Sequence, residues 1–306
     1  MAGTQPPRPP SGMRARSGQD VAPRRIGSND LEPRAADPKG APALPDEGVR
    51  EWAGERPTRD EDGSPPVTVV GGDGAQLARS RVPEGQPTPR LAAVERSLHR
   101  HRAAAGRAPL VPERLAQLER VVDAWRQAGT RVVLDLGCGT GWSTQALAER
   151  HLGDTVIGVD KSSARLARGA NGSRSSASSP GPLPTHRFRC DIEELLAFAH
   201  HRGLRAEKAY LLYPNPWAKT GQLTRRLYAR PAVLDLVAVC KNVEVRTNWW
   251  VYAVEAEFAL RQLSCAVERH ALDVSQSQVV SPFERKYAAS GHRLWQIRAA
   301  APPSRG

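Results

Sequence analysis

The stretch Asp135–Ser143 reads DLGCGTGWS and overlaps the end of the apolar run VVLDLG, residues 132–137. Glycine at every second position lets the backbone turn sharply and approach a ligand closely. The apolar run predicts a buried strand, and residues 142–150 predict a helix. A glycine loop between a strand and a helix is typical of nucleotide-binding α/β proteins.

Strand and helix patterns alternate on the carboxyl side of this loop. Further strands are predicted at 155–160, 186–191 and 208–213, with helices at 161–169 and 191–203 between them. Such alternation predicts a doubly wound α/β sheet whose strands are mostly parallel. Ligands of these sheets bind outside the carboxyl ends of the strands, so the residues that follow each strand are the candidate site residues.

Composition divides the chain into three parts. Residues 1–90 hold more than half of the 26 prolines and few apolar residues, which predicts a disordered leader. Residues 91–130 are interpreted as a helical lead-in, because apolar residues recur at helical spacing from Leu115 to Trp125. Residues 131–300 form the predicted α/β domain, interrupted by a Ser/Pro/Gly-rich loop at 170–185 that we expect to be mobile.

The net charge of +12 favours a polyanionic partner, nucleic acid above all. Most of the excess lies in the part predicted to fold, since residues 111–306 hold 27 Lys/Arg and 18 Asp/Glu. The four cysteines form no C-x-x-C pair, so we expect no metal, and their scatter fits a reducing cytoplasm. No apolar run is long enough to span a bilayer, which predicts that the protein does not use a membrane.

The spacing of the loop glycines distinguishes between two classes of nucleotide. Dinucleotide sites read G-x-G-x-x-G, whereas Gly137, Gly139 and Gly141 read G-x-G-x-G, and Trp142 occupies the position of the third dinucleotide glycine. The pattern resembles the first motif of S-adenosylmethionine-dependent methyltransferases. That resemblance implies that Asp135 and the three glycines hold the methionine end of S-adenosylmethionine.

Two acidic residues end the next two predicted strands. Asp160 lies 23 residues after Gly137 and can accept both ribose hydroxyls, and Asp191 has the position that lies beside the adenine in this superfamily. Each also has a purely structural interpretation as a helix N-cap, and Asp191 with Glu194 fits a capping box. Three such features in order, each at the carboxyl end of a strand, favour cofactor binding.

A second motif narrows the class of methyltransferase. The residues YPNPWAK followed by RRL, 213–227, resemble the signature loop of the bacterial tRNA (guanine-N7)-methyltransferases, and RTNWWVY (246–252) and SPFERKYAASGHRLWQI (281–297) are similar to two further segments of that family. The resemblance covers about residues 115–299. It implies a Rossmann-like class I methyltransferase fold with an antiparallel C-terminal strand, S-adenosylmethionine as cofactor and the variable loop of tRNA as substrate.

The chain departs from the family at several signature positions. Asn215 and Asn248 replace aspartates, Ala218 replaces a proline, and Ser281 replaces a threonine. The family's Arg-His pair is replaced as well, by Gly221 and Gln222. Glu284 is then the remaining candidate carboxylate of the substrate pocket.

The resemblance implies a role for each matching residue. Asn215 and Glu284 are the candidate catalytic residues, and Asn248 and Ser281 would help hold the guanine. Lys219, Arg225 and Arg226 would hold phosphates.

Structural interpretations of the same residues stay open at this point. Ser281-x-x-Glu284 is also a capping-box pattern. Asn215 can brace a turn, and Trp217 can fix the loop rather than stack on a base. Thr247 and Asn248 can cap the helix that follows them.

Two other functions compete with guanine-N7 methylation. Asn-Pro-Trp partly resembles the Asn-Pro-Pro-aromatic loop of amino-group methyltransferases, which would imply another RNA or a small-molecule substrate. The two amides in place of carboxylates favour a second alternative, an RNA-binding protein of the same fold without catalysis. The nucleoside that receives the methyl group distinguishes these possibilities.

Overall fold

The structure, a computed structural model, describes residues 80–104, 112–170, 184–274 and 279–303. The described residues form one seven-stranded sheet in the order β3-β2-β1-β4-β5-β7-β6. Strands β1 to β5 pair in parallel, and β7 is antiparallel to both β5 and β6. The strands are β1 Val132–Leu136, β2 Thr155–Asp160, β3 Thr185–Arg189, β4 Ala206–Leu212, β5 Cys240–Thr247, β6 Ala266–Ala271 and β7 Trp295–Ala300.

Helices connect the strands of this sheet. Two of them, α1 and α2, precede β1, and two short 3₁₀ helices at Thr220–Arg225 and Leu227–Ala229 follow β4. The helices are α1 Leu91–Ala103, α2 Pro112–Gln127, α3 Trp142–Arg150, α4 Ser163–Ala170, α5 Ile192–His201, α6 Ala232–Val239, α7 Trp250–Gln262 and α8 Pro282–Ala289.

The centre of the sheet is covered on both faces. Every residue of β1 and β2 is buried, and Leu134 lies beside Ile157 in the parallel register. Strands buried on both faces are near-continuous apolar runs, which is why their sequences are readily recognised. The predicted doubly wound, mostly parallel sheet with an antiparallel C-terminal strand is confirmed, and the carboxyl ends of β1 to β5 meet at one edge.

The predicted bounds agree with the structure to within two residues at most strand and helix ends. The helix at 142–150 and the strand at 155–160 have the predicted limits, whereas the strand predicted at 186–191 ends at Arg189. Strand β6 was not predicted, because its sequence AVERHA is polar and largely exposed.

Residues 80–90, on the amino side of α1, contact the rest of the fold. The backbone N–H of Ser80 donates to Ser290 Oγ, and that of Arg90 donates to Glu255 Oε1. The remainder of the predicted leader and most of the 170–185 loop lie outside the described residues. Within the described ranges, no helix is both long enough and apolar enough to cross a bilayer.

Candidate active site

The glycine loop turns tightly between β1 and α3. Gly137, Gly139 and Gly141 have φ values of 89°, 59° and 83°, a left-handed conformation that a side chain disfavours. The loop is closed by the bond from Gly141 N–H to Cys138 O at 2.9 Å. No atom lies within 4 Å of the position that a Cβ of Gly139 would take, so the backbone there is open to a ligand.

Asp135 lies beneath this loop and is enclosed by α3. Its carboxylate accepts hydrogen bonds from Ser143 Oγ at 2.6 Å and Thr144 Oγ1 at 2.8 Å. Burial raises the pKa of Asp135 to about 6, although the two hydroxyl donors lower it and the charge of Asp160 raises it. Burial therefore destabilises the ionised carboxylate, and a cationic ligand would stabilise it.

Asp160 links the end of β2 to the glycine loop. Its carboxylate accepts from the backbone N–H of Gly139 at 3.0 Å and from that of Ser162 at 2.8 Å, and Arg165 lies 3.4 Å away. The residue predicted to hold the ribose is thus next to the loop predicted to hold the methionine end. In this structure its oxygens stabilise the loop itself.

Asp191 follows β3 and is the N-cap of α5. Its side chain accepts from the backbone N–H of Glu193 at 2.9 Å, so the capping interpretation is observed. Glu194, the other residue of the predicted capping box, forms an ion pair with Arg114. Asp191 is half-buried, and its position at the same edge of the sheet stays compatible with the predicted place beside an adenine.

Trp142 is the first residue of α3. This helix packs closely on β2, and the residue that makes room for it is a glycine of the strand rather than of the helix. A Cβ on Gly158 of β2 would clash with Thr144 Oγ1 and lie 3.0 Å from Cys138 Cβ. The third glycine of dinucleotide sites normally provides this close approach from the helix. Because Gly158 provides it here, α3 can begin with an indole, whose ring lies 5.7 Å from the Arg285 guanidinium.

The loop after β4 is held by its own residues. Asn215 is exposed, and its Oδ1 accepts from the backbone N–H of Trp217 at 3.1 Å, so the amide does brace the turn. Tyr213 and Trp217 have φ values of 49° and 45°, which are uncommon for residues with a side chain. The Arg225 guanidinium lies 4.8 Å from the Trp217 ring centroid and covers its face.

Arg226 has a different role from the predicted phosphate contact. Its side chain is 3% exposed and forms a buried ion pair with Glu255. Its guanidinium also donates to Tyr228 Oη and to the carbonyl oxygen of Trp217, both at 3.1 Å. Arg226 is therefore a structural residue beneath the loop, whereas Lys219 and Arg225 are exposed.

Glu284 is also enclosed, which removes it from direct contact with a base in this structure. The residue is 0% exposed, and its Oε1 accepts from Arg246 Nη1 at 2.7 Å and from Tyr213 Oη at 3.1 Å. Its Oε2 accepts from the backbone N–H of Val280 at 2.7 Å. The carboxylate predicted to be catalytic instead fixes the end of β4 to α8.

Ser281 and Asn248 are brought close to this region but are buried. Ser281 is the N-cap of α8 and accepts from the backbone N–H of Phe283 at 3.3 Å. The Ser281 side chain bonds to the second helical residue rather than to Glu284, and the Glu284 side chain bonds to Val280 rather than to Ser281, so Ser281 is an N-cap but the predicted capping box does not form. Asn248 Nδ2 lies 2.9 Å from His292 Nδ1, and His292 Nε2 lies 3.2 Å from Ser80 O.

Thr247 makes the turn into α7, and the two tryptophans that follow pack into the protein. Thr247 Oγ1 accepts from the backbone N–H of Trp249, one residue before the helix begins. Trp250 is buried against Trp295, with ring centroids 4.7 Å apart. Trp249 is partly buried and packs against the same core.

Two buried charges on β5 support the site and were not predicted. Glu244 accepts from Arg246 Nε at 2.8 Å, from Lys208 Nζ at 2.6 Å and from Gln296 Nε2 at 2.5 Å. Burial alone would raise the pKa of Glu244, but Arg246 and Lys208 lower it to about 2. A signal was available in the sequence KNVEVRT, where opposite charges two residues apart lie on one face of a strand.

Comparison with known proteins identifies the family. Residues 129–297, more than half of the chain, match the family Methyltransf_4, whose description is "Putative methyltransferase". The chain belongs to this family. The match includes the glycine loop, the loop after β4 and α8, which are the three parts of the candidate site.

Relatives of this Methyltransf_4 chain include bacterial proteins named tRNA (guanine-N(7)-)-methyltransferase. The protein from Mycolicibacterium gilvum is 29% identical over 182 residues, which are 55% of this chain and 66% of that protein. The protein from Burkholderia thailandensis is 27% identical over 171 residues, 54% of this chain and 62% of that protein. The chain thus matches slightly less than two thirds of the length of these relatives.

One solved structure among the similar ones is the 16S rRNA (adenine(1408)-N(1))-methyltransferase from Catenulisporales acidiphilia. It is 19% identical, covers 65% of this chain and 95% of its own, and has a TM-score of 0.45. The resemblance of the sequence to a methyltransferase family is confirmed by the Methyltransf_4 match.

Proposed function

We propose that this protein transfers a methyl group from S-adenosylmethionine to N7 of a guanine in the variable loop of tRNA. The supporting observation is that one family match, residues 129–297, includes three segments that the fold gathers at the carboxyl edge of the sheet. Contacts join these segments directly, since Arg285 of α8 covers Trp142 and Glu284 bonds to Tyr213.

The cofactor fits the open backbone at the glycine loop. Gly139 leaves space above the loop, and the buried Asp135 offers a negative charge close to it. Asp160 and Asp191 would hold the adenosine, Asp160 after exchanging its bonds to Gly139 or Ser162. When bound, S-adenosylmethionine supplies an electrophilic methyl group, and guanine N7 forms the new C–N bond while the C–S bond breaks and its electron pair stays on sulfur.

The reaction requires positioning rather than a general base. N7 carries a free lone pair at neutral pH, so no proton has to leave before the attack. The pocket must tolerate the positive charge that the guanine ring acquires. Asn215 is the exposed polar residue at the pocket wall, and its Oδ1 has a second lone pair that can accept from the guanine amino group.

The enclosed residues would act through the pocket wall. Glu284, which is paired with Arg246, accepts from the Tyr213 hydroxyl, and Tyr213 begins the loop that carries Asn215. Ser281 fixes the start of α8, and Asn248 fixes the position of His292. These are positioning residues, because their polar atoms bond to the protein.

Lys219 and Arg225 would contact RNA phosphates beside this pocket. Both are exposed, and Arg225 is held over the Trp217 ring, which limits its freedom before RNA arrives. Phosphate contacts orient a substrate without reading its sequence. We also infer a cytoplasmic protein, because all four cysteines are free and buried as in a reducing compartment.

The proposal is tested by identifying the methylated nucleoside. Purified protein is incubated with labelled S-adenosylmethionine and unmodified bulk tRNA, and the RNA is digested to nucleosides. We expect labelled 7-methylguanosine, and no label with the variant Gly139→Val, whose side chain would fill the open side of the loop. A different labelled nucleoside would favour an amino-group methyltransferase. No label, together with measured binding of cofactor and tRNA, would favour an inactive RNA-binding protein.

A further inference from the structure

A second basic surface lies on α4 and the edge strand β3, apart from Lys219 and Arg225. Residues 161–190 contain six Lys/Arg and no Asp/Glu. Five of these basic residues are described and exposed, and we call them the α4–β3 surface: Lys161, Arg165, Arg168, Arg187 and Arg189. Among the described residues, the only carboxylate paired with this surface is Asp160, through Arg165.

The α4–β3 surface adjoins the glycine loop. Arg187 Nη1 donates to the carbonyl oxygen of Thr140 at 2.8 Å, and Arg189 Nε lies 3.4 Å from Lys161 O. Lys161 follows β2 and Arg189 ends β3, so both lie at the carboxyl edge that carries the candidate pocket. Three strand spacings, or about 14 Å, separate β3 from β4 at that edge. One folded RNA molecule readily spans this distance.

The surface also contains an open groove with aromatic side chains. The groove has a volume of about 480 Å³ and is lined by Leu166 and residues 185–188. The rings of His186 and Phe188 are stacked there, with centroids 6.1 Å apart. Unpaired RNA bases stack on aromatic side chains while arginines hold the adjacent phosphates. If these basic residues served only to keep the surface soluble, the aromatic groove beside them would have no role.

We propose that the α4–β3 surface is a second RNA-binding site, on the opposite side of the cofactor loop from Lys219 and Arg225. Lys161, Arg168, Arg187 and Arg189 hold backbone phosphates, and the groove beside His186 and Phe188 receives an unpaired base. The inference rests on the proposed RNA substrate. The second site would bind a part of the tRNA that lies too far away to contact the signature loop.

The test compares two double variants with the same loss of charge. K161Q/R168Q removes exposed charges from the α4–β3 surface, and R205Q/K241Q removes them from the opposite, amino edge of the sheet. Equilibrium binding of unmodified tRNA is measured without cofactor from 50 to 300 mM salt. Each lost phosphate contact should lower the slope of log K against log salt by about 1. We expect roughly tenfold weaker binding for K161Q/R168Q and less than a twofold change for R205Q/K241Q.

Ultraviolet cross-linking provides a second readout that does not depend on charge. Peptide mapping of the cross-linked complex should give RNA adducts within residues 184–189. Equal salt slopes for the two variants, with no adduct in these residues, would overturn the inference. Because binding is measured without methylation, a wild-type chain that binds tRNA but transfers no methyl group contradicts only the proposed function. A chain that does not bind tRNA contradicts both.

Discussion

Arg226 donates a hydrogen bond to the carbonyl oxygen of Trp217 at 3.1 Å, from a side chain that is itself buried against Glu255. Trp217 has a left-handed backbone, and residues in that region persist only when their surroundings hold them there. Glu255 also accepts from Arg90 N–H, on the amino side of α1, at 2.7 Å. A single buried carboxylate therefore couples residues 80–90 to the signature loop.

We predict that Arg226 and Glu255 stabilise the fold only when both are present. Glu255→Ala should lower the free energy of unfolding by about 3–5 kcal/mol, because it leaves the Arg226 charge buried without a partner. The double variant R226M/E255L should be less destabilised than Glu255→Ala alone, since neither charge remains. Denaturant unfolding measures both. Equal destabilisation by the single and the double variant would contradict the role of the buried charge.

Asn215→Asp should increase the rate of methyl transfer. An aspartate can keep the bond to Trp217 N–H and adds a negative charge near the ring that becomes positive. We expect about a tenfold higher single-turnover rate, which corresponds to roughly 1.4 kcal/mol. Asn215→Ala, which loses the turn bond, is the matched control and should be slower than wild type. A rate for Asn215→Asp at or below that of Asn215→Ala would show that Asn215 does not face the reacting base.

Cofactor affinity should depend on the ionisation of Asp135. The pKa of this carboxyl is about 6, so its charge is lost as the pH falls through 6. S-adenosylmethionine carries positive groups and prefers the ionised form, so its dissociation constant should rise below pH 6. Calorimetry between pH 5 and 8 measures this change, and Asp135→Asn should bind weakly with no such dependence.

Ionisation of Asp135, which favours cofactor binding, should lower the stability of the cofactor-free fold. A raised pKa in the folded state means that the folded protein binds this proton more tightly than the unfolded chain, so ionised Asp135 disfavours folding above pH 6. Asp135→Asn should therefore increase the free energy of unfolding of the cofactor-free protein at pH 8. A destabilised variant at pH 8 would indicate that the two hydroxyl contacts outweigh the burial of the charge.

Glu244 should contribute stability that is lost in acid. Its pKa is lowered to about 2, so its contribution is fully present above the ordinary value of 4.5 and disappears as the pH falls toward 2. Glu244→Gln should be clearly less stable than wild type at pH 7, and the difference should shrink below pH 4. Unfolding curves across this range test the prediction. A constant difference at all pH values would contradict it.

The sequence predicts the positions of the site residues better than their contacts. The glycine loop, Asp160 and Asp191 lie where the pattern places them, because buried strands and glycine turns are local properties. Burial of Glu284 and Arg226 depends on Arg246 and Glu255, 38 and 29 residues away, and no local pattern indicates such partners. The α4–β3 surface was missed for a similar reason, since its charges come from two separate elements.

The methylated atom is the central claim, and a substrate that lacks it provides the most direct test. Two tRNA transcripts are prepared, one with guanosine and one with 7-deazaguanosine, in which a carbon replaces N7. Both are incubated with the protein and labelled S-adenosylmethionine. We predict label in the first transcript and none in the second. Equal label in both transcripts would contradict methylation at guanine N7.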